Sequence, residues 1–219
     1  MKTALITGAN RGIGLELAKQ LQQKGYHIIA TCRDSSPELD NLDCEIKTNV
    51  DVTSSASIKN LVKRLASKKI DLLINNAGIL QSMDLSDLDF DAMRQQYEIN
   101  TLGPLSVTAN LLPNLTQGSK VAIITSRMGS IEDNSGGQYG YRMSKSAANM
   151  VGSSLAYDLK PKGIAVALLH PGYVRTEMTG NQGLIDADES ARGLIQRIDE
   201  LNIHNTGGFW HTDGTELPW

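Results

Sequence analysis

Six short apolar runs divide the chain: TALIT (3–7), YHIIAT (26–31), CEIKT (44–48), IDLLIN (70–75), KVAIIT (120–125) and IAVALLH (164–170). They are rich in β-formers and do not alternate with polar residues. That is the pattern of strands buried on both faces, as in a parallel sheet. Between them lie segments of helical periodicity: 12–24, 54–67, roughly 88–115, 139–159 and 187–200. Strand, helix, strand at this spacing predicts βαβ units and an α/β, doubly wound parallel sheet with helices on both sides. A last short strand is expected near Gly208–His211. The segment 88–115 contains Gly103-Pro104, which predicts two helices or one kinked helix there. Residues 176–186, TEMTGNQGLID, are polar and glycine-containing, and form a candidate mobile lid.

At 219 residues, with no repeat or linker, the chain reads as one domain over 1–219. Its 21 basic and 24 acidic side chains give a net charge of −3, which offers no electrostatic case for nucleic acid or an anionic membrane. No apolar run approaches the ~20 residues that span a bilayer. Met1-Lys2 leads straight into the first strand, without the charged and apolar regions of a signal peptide. Cys32 and Cys44 have no partner at metal-ligand spacing, so reduced thiols in a cytoplasmic protein are expected, and no metal site.

The first strand runs directly into TGANRGIG, Thr7 to Gly14, and then a helix. Gly8 permits a tight turn out of the strand. Gly12 lets the backbone approach a phosphate, and Gly14 lets the helix pack closely. The helix N-terminus offers free N–H groups to a pyrophosphate. Dinucleotide binding follows from this context.

Two further groups point to proton chemistry. Tyr141 and Lys145 stand four apart in YGYRMSK, on one helical face. An ammonium beside a phenol favours the phenolate and lowers its pKa from about 10. Tyr139 has Met143 at the same offset and gains no such help. Ser126 lies at the carboxyl end of the fifth strand, where open α/β sheets bind ligands. Its hydroxyl can polarise a substrate oxygen; Ser130 is its competitor. His170 reads as a strand-end histidine before a Pro-Gly turn. Met128, Tyr173, Met178, Trp210 and Trp219 are candidates for an apolar pocket wall.

Taken in order, TGANRGIG, NVDVT (49–53), NNAG (75–78), Asn100, ITSRMGS (124–130), YGYRMSK (139–145) and HPGYVRTEM (170–178) resemble the short-chain dehydrogenase/reductase family over nearly the whole chain. The subset most similar is the carbonyl-reductase-like group of sniffer and C-factor type. The resemblance implies a Rossmann-type three-layer α/β/α domain. It implies reduction of a small-molecule carbonyl, with Ser126, Tyr141, Lys145 and Asn100 as the catalytic set. Asn100 is the residue whose helix distortion holds a water on the lysine. Cofactor contacts are implied at Gly8, Asn10, Arg11, Gly12, Ile13, Gly14, Asp51, Val52, Asn76, Ala77 and Gly78, and at Pro171, Gly172, Val174 and Thr176. Tyr141 and Lys145 join them through the nicotinamide ribose. Arg33 stands where members preferring NADP(H) carry an arginine, and Arg11 is placed to reach the same phosphate. Asp34 could instead serve NAD(H), but two arginines on one pocket favour NADP(H). A signalling protein of C-factor type is the alternative. An epimerase or dehydratase would need a larger C-terminal substrate domain. A homodimer through 88–115 and 139–159 and a monomer both remain open.

Overall fold

A computed structural model describes residues 1–219. Its seven strands are β1 (Thr3–Thr7), β2 (His27–Thr31), β3 (Glu45–Lys47), β4 (Ile70–Asn75), β5 (Leu115–Ile124), β6 (Ala165–His170) and β7 (Phe209–His211). They form one sheet in the order β3-β2-β1-β4-β5-β6-β7. Every pairing is parallel. The order reverses between β1 and β4, which opens a crevice at their carboxyl ends.

Seven helices cover the sheet: α1 (Gly12–Gln23), α2 (Pro37–Asp40), α3 (Ser55–Leu65), α4 (Phe90–Tyr97), α5 (Gly103–Asn110), α6 (Tyr139–Leu159) and α7 (Ala187–Glu200). Successive strand residues face opposite sides. Ala4 and Ile6 pack with Leu17, Leu21, Leu194 and Ile198 under α1 and α7. Leu5 packs with Ile58, Leu61, Val107 and Leu155 under α3, α5 and α6. The continuous apolar strand runs are thus explained by two buried faces. No helix is long and apolar enough to cross a membrane.

Most expected elements are present, and three details differ. The region 88–115 is broken, but by more than a kink. A π-helical turn, Glu98–Leu102, separates α4 from α5. Pro104 has no N–H to give the Asn100 carbonyl, and the Gly103 N–H reaches back five residues to Glu98. At its far end, Leu115 already belongs to β5, because it pairs with Ile70 before a register shift. The four-residue α2 was not expected; Ser36 caps it by accepting from Leu39 N–H.

The segment 176–186 is a braced turn. Thr179 Oγ1 donates to the Val174 carbonyl at 2.8 Å, Leu184 N–H to Tyr173 at 2.7 Å, and Arg175 pairs with Asp186 at 2.6 Å.

Candidate active site

The crevice is lined by the end of β2, the start of α1, the π-turn and the turns after β1, β2, β3, β4 and β6. Gly8, Asn10, Arg11, Gly12, Ile13, Gly14, Arg33, Asp51, Val52, Asn76, Ala77, Gly78 and Thr176 all face it. Gly8 has φ +65°. A Cβ on Gly14 would collide with the Gly8 carbonyl oxygen and Asn76 Nδ2, so α1 can start here only with glycine. Asn76 donates through Nδ2 to the carbonyls of Thr7 and Gly8, each at 3.0 Å, and so ties β4 to the turn. Asp51 Oδ1 accepts from Thr53 N–H and Oγ1 at 2.9 and 2.8 Å, and Oδ2 makes no hydrogen bond within the protein. This glycine cradle with outward N–H groups fits a dinucleotide phosphate.

Pro171, Gly172 and Val174 do not line that crevice. They form the turn beyond β6, fastened to α7 by Ser190 Oγ donating to the Pro171 carbonyl at 2.7 Å. Val174 is buried and pairs with Ile185. Thr31, Cys32, Val50, Ile79, Ile99 and Glu177 also line the crevice and were not assigned to it from sequence, and Met178, a pocket-wall candidate, lines it too. Thr31 and Cys32 were signalled only by their place at the end of β2. Asp34 lines it as well, which keeps a carboxylate beside the two arginines.

The four catalytic candidates meet beside this crevice and are all buried. Gly78 marks the junction: a Cβ there would lie 3.1 Å from Asn100 Oδ1 and 3.7 Å from Lys145 Nζ. Asn100 Oδ1 accepts from Ile79 N–H at 2.9 Å, while Nδ2 donates to the Ile79 carbonyl at 2.9 Å and to Ser144 Oγ at 3.0 Å. The π-turn therefore clamps the loop after β4 to α6. Lys145 Nζ lies 5.7 Å from the Tyr141 ring centre and donates to the Ile124 carbonyl at 3.0 Å. Ser126 Oγ accepts from Met128 N–H at 3.1 Å and lies near enough to the Tyr141 phenol to favour its ionised form. Gly129 makes this arrangement compact, since a Cβ on it would lie 2.7 Å from the Lys145 carbonyl carbon.

Electrostatics here run against one expectation. Burial pushes Tyr141 up to about 12, only partly offset by the Ser126 hydroxyl, and the neighbouring ammonium does not bring the phenol below its ordinary value. Burial also pushes Lys145 down to about 8. Desolvation disfavours both charged forms, and it outweighs an attraction across several ångströms.

Other candidates are sorted by their contacts. Ser130 donates to the Trp219 carbonyl at 3.2 Å and accepts from Asp133 N–H at 3.0 Å, so its hydroxyl braces the turn and Ser126 is the one on the tyrosine. Tyr139 opens α6 half-buried. His170 lies edge-on to His211 at 4.9 Å, and burial drives it to about 3, leaving it neutral. Met178 lines the crevice and Tyr173 stands exposed on the next turn. Trp210 does not join them. It packs against the cluster under α1 and α7, because its neighbour Phe209 takes the α6 side of the strand. Trp219 packs on Phe209, with ring centres 5.6 Å apart.

A family model described as short chain dehydrogenase matches residues 2–184. The chain belongs to the short-chain dehydrogenase family. This short-chain dehydrogenase is 43% identical over 226 residues to a 1-hydroxy-2-glutathionyl-2-methyl-3-butene dehydrogenase of Rhodococcus sp. (strain AD45), covering 100% of each chain. It is 47% identical over 154 residues to the C-signal protein of Myxococcus xanthus, covering 68% of this chain and 93% of that one. Among solved structures, an NADPH-bound carbonyl reductase from chicken fatty liver matches with a TM-score of 0.90 at 30% identity, over 100% and 99% of the two chains. The resemblance read from the motifs, C-factor type included, agrees with these relatives.

Proposed function

We infer that this short-chain dehydrogenase reduces a small-molecule carbonyl (an aldehyde, ketone or quinone) to an alcohol, using NADP(H). The observation that carries the reading is the convergence of Ser126, Tyr141 and Lys145 beside the glycine cradle at the switch point of the sheet. The bound nicotinamide supplies the hydride. The protein's own groups handle the oxygen. A phenol held near 12 keeps its proton at neutral pH, the form a general acid needs. Ser126, beside the phenol, holds the carbonyl oxygen against it. Lys145, one turn on, stabilises the phenolate left when the proton has gone. Its second role is on the nicotinamide ribose. Asn100 fixes the loop and helix that frame the lysine, and its helix distortion leaves a carbonyl for a relay water.

Three observations favour NADP(H) over NAD(H): the chicken carbonyl reductase binds NADPH, Arg33 lines the crevice without an ion pair, and Arg11 lies on the same crevice. The Rhodococcus relative supports alcohol oxidation as the reverse direction on the same residues, with a thioether alcohol as one substrate class to test. The C-signal relative favours a signalling role as the second reading; the complete Ser–Tyr–Lys set speaks for turnover. The outer face of α6, with Met143, Met150 and Tyr157 exposed, suits a homodimer, which sedimentation would check. Two free cysteines suit a cytoplasmic setting.

The test is Tyr141→Phe, assayed with aldehydes, ketones and quinones, with NADPH and NADH in parallel. NADPH should still bind, with turnover reduced by about 10²–10⁴. Near-normal turnover would remove Tyr141 as the acid, and wild-type inactivity on every carbonyl would favour the signalling reading.

A further inference from the structure

One ion pair crosses the mouth of the dinucleotide crevice. Arg11, in the glycine-rich turn, donates to the carboxylate of Glu177, in the turn after β6. Both line the crevice together with Arg33. Their side chains are 59% and 70% exposed, so either can turn away. The two turns lie side by side, since a Cβ on Gly12 would lie 3.5 Å from the Thr176 methyl, Cγ2. Glu177 is offered from a fixed position: Thr176 N–H donates to Thr179 Oγ1 at 3.2 Å, and that hydroxyl donates to the Val174 carbonyl at 2.8 Å. Arg33, by contrast, makes no ion pair.

We propose that Glu177 tunes the preference for the phosphorylated dinucleotide by competing with the ribose phosphate for Arg11. This rests on the NADP(H) reading above. A guanidinium pairs with either a carboxylate or a phosphate through the same forked donors. When the cofactor lacks the extra phosphate, Arg11 keeps Glu177 and nothing is exchanged. When it carries the phosphate, Arg11 must leave Glu177, and that carboxylate then faces a second anion in the same crevice without its cation. Both effects weaken NADPH binding and spare NADH. Specificity is a difference of affinities, and Glu177 is the repulsive element in it.

The test is a set of fluorescence titrations giving Kd for NADPH and NADH at low salt. The proteins are wild type, Glu177→Gln, Arg11→Gln and the double variant. Glu177→Gln should raise the NADPH-over-NADH preference by about two- to five-fold, the factor that an exposed ion pair is worth. Adding Glu177→Gln to Arg11→Gln should raise the preference by a smaller factor, because the pair is already gone and only the carboxylate's repulsion of the phosphate is left to remove. An unchanged preference in the single variant overturns the proposal. An equal rise in both backgrounds also overturns it, since Glu177 would then act by its field alone. Wild-type protein that binds NADH as tightly as NADPH defeats the cofactor reading itself, and this proposal with it.

Discussion

Lys145 is a buried ammonium with one protein partner, the Ile124 carbonyl. Its pKa of about 8 against an ordinary 10.5 means the folded chain binds fewer protons than the unfolded chain between those values. Stability contributed by this group therefore rises with pH through that window, and at neutral pH the charge is a cost. Lys145→Met should raise the melting temperature at pH 7 while abolishing turnover; a lower melting temperature would mean that the ammonium is better compensated than its contacts show. The same pKa sets the activity profile. Carbonyl reduction should fall as pH rises through about 8, where Lys145 loses the charge that stabilises the phenolate, and a rate flat from pH 7 to 10 would contradict that role. The pairing of Tyr141 with Lys145 was legible from a spacing of four on a helix. Their burial was not, because no local pattern reports how deeply a helix face sits behind the loops above it.

At the scale of elements, the catalytic geometry depends on how closely the turn after β5 lies on α6. Gly129 is the contact, with the Lys145 carbonyl carbon 2.7 Å from where a Cβ would stand. Gly129→Ala should push the turn off the helix, move Ser126 away from Tyr141, and cost about 1–3 kcal/mol in stability by overpacking. The measurable signature is a large loss of kcat with the NADPH Kd little changed, since Gly129 does not line the crevice. The π-turn before α5 is a second such device. Gly103-Pro104 announced a break in 88–115, because a missing N–H is a local fact. That the break would aim Asn100 at Ile79 and Ser144 depended on α4 and α6 packing side by side. Likewise α2 and the early start of β5 escaped the sequence, the first being too short for periodicity and the second being set by pairing with Ile70.

Across the whole molecule, the two ends of the sheet do different work. The carboxyl ends of the strands carry the crevice. The amino ends of β2 and β3 carry a charge cluster: Glu45 accepts from Lys47, Lys68 and His27. Partial burial alone would raise its pKa, but the three donors outweigh that and hold it at about 2. The folded value lies below the ordinary 4.5, so the stability it brings is present above that pH and is lost as pH falls toward about 2. Glu45→Gln should lower the melting temperature at pH 7, with the gap closing near pH 2; a gap that persists in acid would assign the loss to packing. The sequence alone determined the doubly wound sheet, the glycine cradle and the Tyr141–Lys145 pair, since periodicity, glycine geometry and fixed spacings are local properties of the chain; Ser126 and Asn100 entered through the family resemblance. Only the tertiary structure decided that Trp210 faces α1 and α7, that Ser130 is a brace, that the phenol keeps its proton, and that Arg11 meets Glu177, 166 residues further on. Those outcomes depend on solvent exclusion and on contacts between distant segments, which exist only once the sheet has brought its strand ends together.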